Sequence, residues 1–248
     1  MTELAYLATP EAAYVREFRA RLVARPPGAV VLDRTYFYPV GGGQASDRGT
    51  VRRGEGGPPV EVAEVAKHGG SVVHRLRAAA SEVAGWRLGD EIVGRLDWER
   101  RHRHMRLHTG QHYASAMVYG EFGIRTRRAR MEGHAATLDL ERPLPLDALD
   151  RLAPRWAELV TAPRDVRLRT VPRPEWDSAP AARTGLVPLA ASVDPVRLIE
   201  IDGVDLCPCG GTHVRSTREV GEPRVSLSPG RERLTLELTD PPAPTPSE

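Results

Sequence analysis

Apolar residues in the first hundred positions fall in short runs broken by glycine, proline and charged residues. Tyr14, Phe18 and Leu22 recur at four-residue intervals, which predicts a helix over residues 14–23. Residues 29–32 read as a strand. Residues 60–65 and 71–76 read as two more, joined by a His68-Gly69-Gly70 turn, and residues 91–98 as another. Between them, Tyr36-Phe37-Tyr38-Pro39 leads into a loop built on Gly41-Gly42-Gly43. Short strands joined by glycine turns predict a small β-barrel.

The pattern changes at Trp98. Residues 99–119 have helical spacing, with Met105, His108, His112 and Ala116 or Met117 on one side. Residues 125–140 read as a hairpin turning at Gly133. Asp147 is placed to cap a helix reaching residue 160, with Leu149, Leu152, Trp156 and Leu159 as its apolar stripe. Pro154 falls inside that stripe and predicts a kink or a later start. Residues 166–170, 197–201 and 234–238 read as strands, and no internal repeat is evident. The class this predicts is α+β. The proline-rich end, residues 240–248, reads as a disordered tail.

Composition narrows the picture. The 248 residues are 40% hydrophobic but only 5% aromatic, so aliphatic side chains must build most of the core. No apolar run approaches the twenty residues a membrane span needs. Charged residues near the start interrupt any signal-peptide pattern, which points to a cytosolic protein. The net charge of +2 is too mild to demand a nucleic-acid partner. The basic residues are almost all arginine, however, with Lys67 the single lysine. Arg100, Arg101, Arg103 and Arg106 lie before the histidine pair, and Arg125, Arg127, Arg128 and Arg130 after it. Arginine forks match phosphate geometry, so these clusters are candidates for an RNA-backbone rim.

The chemistry concentrates in two short motifs. His108-Thr109-Gly110-Gln111-His112 places two imidazoles four residues apart on one helix face. A zinc protease needs glutamate directly after the first histidine, and Thr109 stands there instead. Cys209-Gly210-Gly211-Thr212-His213 supplies a thiol and an imidazole across a glycine turn. Together the motifs offer three nitrogens and one sulfur, a tetrahedral set suited to one zinc ion. Cys207 is an alternative to Cys209 as ligand, but Cys209 keeps the four-residue step to His213. A disulfide between the two would close a strained ring.

These motifs resemble the editing domain of alanyl-tRNA synthetase, to which a domain of threonyl-tRNA synthetase is related. Phe37-Tyr38-Pro39-Val40-Gly41-Gly42-Gly43-Gln44 is similar to the glycine-rich motif of the same family. So is its context, Asp47 and Gly49 after it and Asp97-Trp98 with Arg100-Arg101 before the histidines. The chain has no room for an aminoacylation domain and resembles the longer type of free-standing AlaX protein over residues 4–240. Two positions depart from the pattern: Val40, where an acidic residue is common, and Gly110, where alanine is common. Neither removes a ligand.

The resemblance implies a translation-factor-like barrel over residues 1–98 and an α/β zinc-containing editing domain over 99–239. It implies hydrolysis of tRNA(Ala) mischarged with serine, and with glycine as a second substrate. An alanine-activating pocket rejects serine poorly, because an apolar site barely excludes an added hydroxyl. Thr109 and Gln44 are the candidates for reading that hydroxyl, each with a structural alternative. Gly41, Gly42 and Gly43 are candidates for backbone contact with substrate, and Arg100 and Arg101 for contact with the RNA. No general base stands out. Two rival readings fit the same residues: an RNA-binding module with a purely structural zinc, and a general zinc esterase.

Overall fold

The computed structural model describes residues 1–178 and 189–239, and the tail expected at residues 240–248 lies outside them. The chain forms two compact units, Met1–His104 and Met105–Glu248. The first contains β1 (Glu3–Leu4), β2 (Glu17–Ala24), β3 (Ala29–Leu32), β4 (Arg34–Thr35), β5 (Gly49–Arg53), β6 (Val60–His68), β7 (Ser71–Arg77) and β8 (Glu91–Leu96). Six of these close into a barrel in the order β2-β3-β7-β6-β5-β8, every neighbouring pair antiparallel. β1 and β4 form a short parallel pair beside it in the sequence order. Phe18, Leu22, Val30, Leu32, Phe37, Val51, Val62, Val65 and Ile92 fill the barrel core.

The helix expected over residues 14–23 is instead a 3-10 turn, Glu11–Tyr14, followed by β2. Positions four apart share a face in a strand as well as in a helix, so Tyr14, Phe18 and Leu22 do not separate the two. The intervening positions do. Phe18, Ala20 and Leu22 are buried while Glu17, Arg19 and Arg21 are exposed, a period of two.

α1 (Trp98–Phe122) starts in the first unit and continues into the second. From His104 to Val118 every residue except Gln111 is buried, which is why its amphipathic stripe is weak in the sequence. The second unit continues with β9 (Thr126–Glu132), β10 (Ala135–Leu140), α2 (Ala148–Thr161), β11 (Val166–Val171), α3 (Arg173–Ser178), β12 (Val196–Ile201), β13 (Asp205–Pro208), β14 (Arg224–Leu227) and β15 (Arg233–Glu237). Its strands form two sheets, β14-β15-β10-β9 and β11-β12-β13, both antiparallel. The architecture is a mixed α/β one, with several sheets and few helices.

α2 runs unbroken through Pro154, which sits on the exposed face where water can reach the Asp150 carbonyl that the ring cannot serve. Leu152, Trp156 and Leu159 bury the opposite face and hold the helix together. Asp147 precedes α2 but makes no side-chain capping bond. Among the described residues no helix is long and apolar enough to cross a membrane.

Candidate metal centre

α1 presents His108 and His112 one turn apart, and the segment after β13 returns Cys209 and His213 to them. One ligand atom from each of the four lies within 4.8 Å of every other. Cys209 Sγ is 3.4 Å from His108 Nε2 and 3.2 Å from His213 Nε2. A tetrahedral ion bound at roughly 2.0–2.1 Å by nitrogen and 2.3 Å by sulfur separates such atoms by about 3.5 Å. The spacing therefore fits a metal ion held by three imidazoles and one thiolate.

Local packing enforces this convergence. A Cβ added at Gly211 would lie 2.1 Å from His108 Cε1, so the His108 ring occupies the space any side chain at 211 would need. A Cβ at Gly110 would lie 3.2 Å from Val220 Cγ1, and the glycine lets α1 sit close to that segment. The Cys209 N–H donates to the Arg197 carbonyl at 3.1 Å, tying the turn to β12. The Gly211 N–H points at Cys209 Sγ at 3.3 Å, a contact that favours the thiolate.

Two of the imidazoles are held from behind. His112 Nδ1 lies 2.9 Å from Asp205 Oδ2, and His213 Nδ1 lies 3.1 Å from Thr109 Oγ1. Thr109 is fully buried, and its oxygen also accepts the Val214 N–H at 3.3 Å. Its hydroxyl therefore lies against His213 and the Val214 N–H, beside the donor group. Asp205 is the site residue that sequence reasoning missed. It opens β13, and no spacing rule links a strand residue to a histidine ninety-three positions earlier.

The electrostatics distinguish the two cysteines. Burial opposes ionisation of Cys209, but the charges of His108 and His213 and hydrogen bonds from His108 and His112 bring its thiol well below the ordinary range. Burial, reinforced by Asp205 and Cys209, pushes Cys207 well above it. Cys207 groups with His112 and Asp205, not with the other three ligand atoms. Burial works against charge on His112, yet Asp205 and Cys209 raise it to about 10. Burial beside His108 lowers His213 to about 3. A half-buried thiol whose ionisation its imidazole neighbours favour, beside three nitrogen donors, is a donor set compatible with a metal ion.

In the first unit, the glycine motif forms a tight turn in which Gly41 and Gln44 exchange backbone hydrogen bonds of 3.1 and 2.9 Å. Gly41, Gly42 and Gly43 are exposed, whereas the Gln44 side chain is buried beneath them. Tyr38 Oη donates to the Gly41 carbonyl at 2.8 Å. Arg101 is not available to RNA. It is wholly buried, paired with Asp47, and donates to the carbonyls of Tyr36 and, at 2.8 Å, Ala13. Arg106 is likewise inside, donating to the carbonyls of Glu219, Val220 and Thr239. Arg100 is half-buried, bonded to the Ser46 carbonyl at 3.0 Å. Burial, then the charge of Arg48, lowers its pKa, with Arg103 adding to the repulsion. Arg125, Arg127, Arg128 and Arg130 are exposed.

A barrel followed by a three-histidine, one-cysteine centre defines a class that comparison locates among tRNA synthetase modules. Residues 9–100 match the profile of class II (A) tRNA synthetases, and residues 196–226 match the threonyl and alanyl tRNA synthetase second additional domain. An alanyl-tRNA editing protein AlaX-M of Methanosarcina acetivorans is 36% identical over 231 residues, covering 89% of this chain and 90% of its own. The AlaX-L protein of Pyrococcus horikoshii is 32% identical, over 89% of this chain and 53% of its own. An alanine–tRNA ligase of Ignicoccus hospitalis is 34% identical, over 86% of this chain but only 23% of the ligase. The chain belongs to the AlaX family of alanyl-tRNA editing proteins.

Proposed function

We propose that this protein is a trans-editing hydrolase that deacylates mischarged tRNA(Ala), seryl-tRNA(Ala) first and glycyl-tRNA(Ala) second. The observation that carries the reading is the four-atom donor group of His108, His112, Cys209 and His213, in a chain related to alanyl-tRNA editing proteins along most of its length. The ion we assign to it is one zinc, because a thiolate with three imidazoles in a tetrahedral arrangement is a zinc set. In this reading the domains divide at residue 98, with a translation-factor-like barrel over 1–98 and the editing domain over 99–239. The protein acts in the cytoplasm.

The reaction is attack of water on the ester that joins the amino acid to the terminal ribose. Zinc, when bound, supplies a Lewis acid that polarises an ester oxygen or acidifies water. Four protein donors fill a tetrahedron, so His108 and His112 in the middle of α1 would hold the ion together with the Cys209–His213 turn. The residues of the chain do the rest. Thr109 holds His213 in place, and Gly211 gives the His108 ring its space. The exposed backbone of Gly41, Gly42 and Gly43 is the proposed second substrate contact, with Gln44 supporting the turn from within. Arg100, crowded by Arg48 and Arg103, is the proposed contact for tRNA phosphate.

The test is deacylation of seryl-, glycyl- and alanyl-tRNA(Ala) in parallel. Hydrolysis of the seryl ester with sparing of the alanyl ester is expected. Absence of turnover with zinc bound would favour a purely RNA-binding module, and cleavage of simple esters without regard to tRNA would favour a general zinc esterase.

A further inference from the structure

Asp205 lies directly behind the metal centre, with a side chain only 1% exposed and one oxygen 2.9 Å from His112 Nδ1. Its other oxygen, Oδ1, is buried and has no hydrogen-bond partner. Asp47, a structural carboxylate that likewise leaves its Oδ1 unpartnered, accepts a backbone N–H from Tyr38 at 2.7 Å as well as the Arg101 guanidinium. Among the described residues Asp205 has no such backbone donor, and its hydrogen bond goes to a histidine that belongs to the donor group.

Three physical consequences converge on this pair. A carboxylate at Nδ1 holds the proton there, which leaves Nε2 with its lone pair directed at the donor group. The hydrogen bond also makes the imidazole a stronger donor through Nε2. The third is charge. A dication with one thiolate and three neutral imidazoles carries a net charge of +1 in a buried place, and the Asp205 carboxylate brings the assembly to neutrality. We infer that Asp205 is a positioning residue for the metal, fixing the tautomer of His112 and balancing the charge of the loaded centre. The inference rests on the zinc reading above.

The experiment measures zinc affinity of the full-length protein and of Asp205→Asn and Asp205→Ala, by competition with a chromophoric chelator, alongside the visible absorption of each protein loaded with Co(II). Thermal stability in the zinc-loaded state is followed in parallel. The asparagine is nearly isosteric and is expected to fold; it retains an acceptor for the Nδ1 proton but removes the charge. The expected result is zinc affinity about 10- to 100-fold weaker in Asp205→Asn, weaker again in Asp205→Ala, with shifted Co(II) bands in both. Zinc affinities within twofold of the parent and unchanged Co(II) bands, even with lowered thermal stability, would show a structural role only and overturn the inference. A parent protein that binds no zinc overturns the metal reading itself, and the inference with it. A parent that binds zinc while the variants match it overturns the inference alone.

Discussion

The Arg101 guanidinium in the first unit is a charge removed from water, Cys209 in the second is a half-buried thiol whose ionisation its neighbours favour, and the two are surrounded in different ways. Arg101 meets Asp47 and the carbonyls of Ala13 and Tyr36, so its charge and its donors find partners within the same chain. Around Cys209 the neighbours are His108, His112 and His213, a set of lone-pair donors turned towards one another. Arg101 needs no ion to balance it, although Asp47 Oδ1 is left without a hydrogen-bond partner among the described residues. The second cluster is a donor set that could hold a metal ion, and that difference separates a charge paired within the chain from a candidate centre where sequence shows two equally polar motifs.

The comparison can be broken most severely at the donor group. Cys209→Ala or His108→Ala is expected to abolish tight zinc binding, and Gly211→Ala to weaken it by displacing the His108 ring; metal content and chelator competition measure all three. At Arg101 and Asp47 the loss should appear in folding instead. Arg101→Ala leaves Asp47 buried without its cation and is expected to cost about 3–5 kcal/mol in denaturant unfolding. Replacing both partners together, as Asp47→Leu with Arg101→Met, should cost less than the sum of the single losses, because no charge is then left alone.

A smaller effect comes from His74 in the barrel, which is wholly buried between Thr35 Oγ1 at 2.8 Å and the Val30 carbonyl at 3.2 Å. Burial, opposed by the Val30 carbonyl, lowers its pKa from 6.5 to about 4. The unfolded imidazole therefore takes up a proton before the folded one does. Its contribution is fully present above pH 6.5 and is lost as the pH falls through 4, about 3 kcal/mol in all. Unfolding midpoints across that window should fall with acidification, and His74→Asn should flatten the slope. The smallest effect belongs to the solvated arginines. Arg128→Ala is expected to change stability by less than about 0.5 kcal/mol. If Arg128 meets phosphate, the same change lowers the salt slope of tRNA binding by about one.

Much of this was legible from residues 60–76 and 99–140, where strand alternation, the Gly133 turn and the histidine spacing predict elements within a few positions of those observed. The region around β2 was misread because Tyr14, Phe18 and Leu22 satisfy both periods, and Arg19 and Arg21 carried the deciding information. β5 and β14 are only five and four residues long, so their inward positions are too few to make a pattern. The grouping of His108, His112, Cys209 and His213 was legible because the two motifs keep their own local spacing. Asp205 was not, since only the β12–β13 hairpin brings it to His112. The burial of Arg101 and Arg106 was not legible for a related reason: a buried arginine and a solvated one are the same letter, and Arg101 differs from Arg128 only through partners distant in sequence.

Native mass spectrometry of the parent protein, Cys209→Ala and Arg128→Ala tests the contrast most directly. One zinc ion is predicted in the parent and in Arg128→Ala, and none in Cys209→Ala. A parent without zinc, or a folded Cys209→Ala that retains its ion, would contradict the assignment of the second cluster as a metal centre.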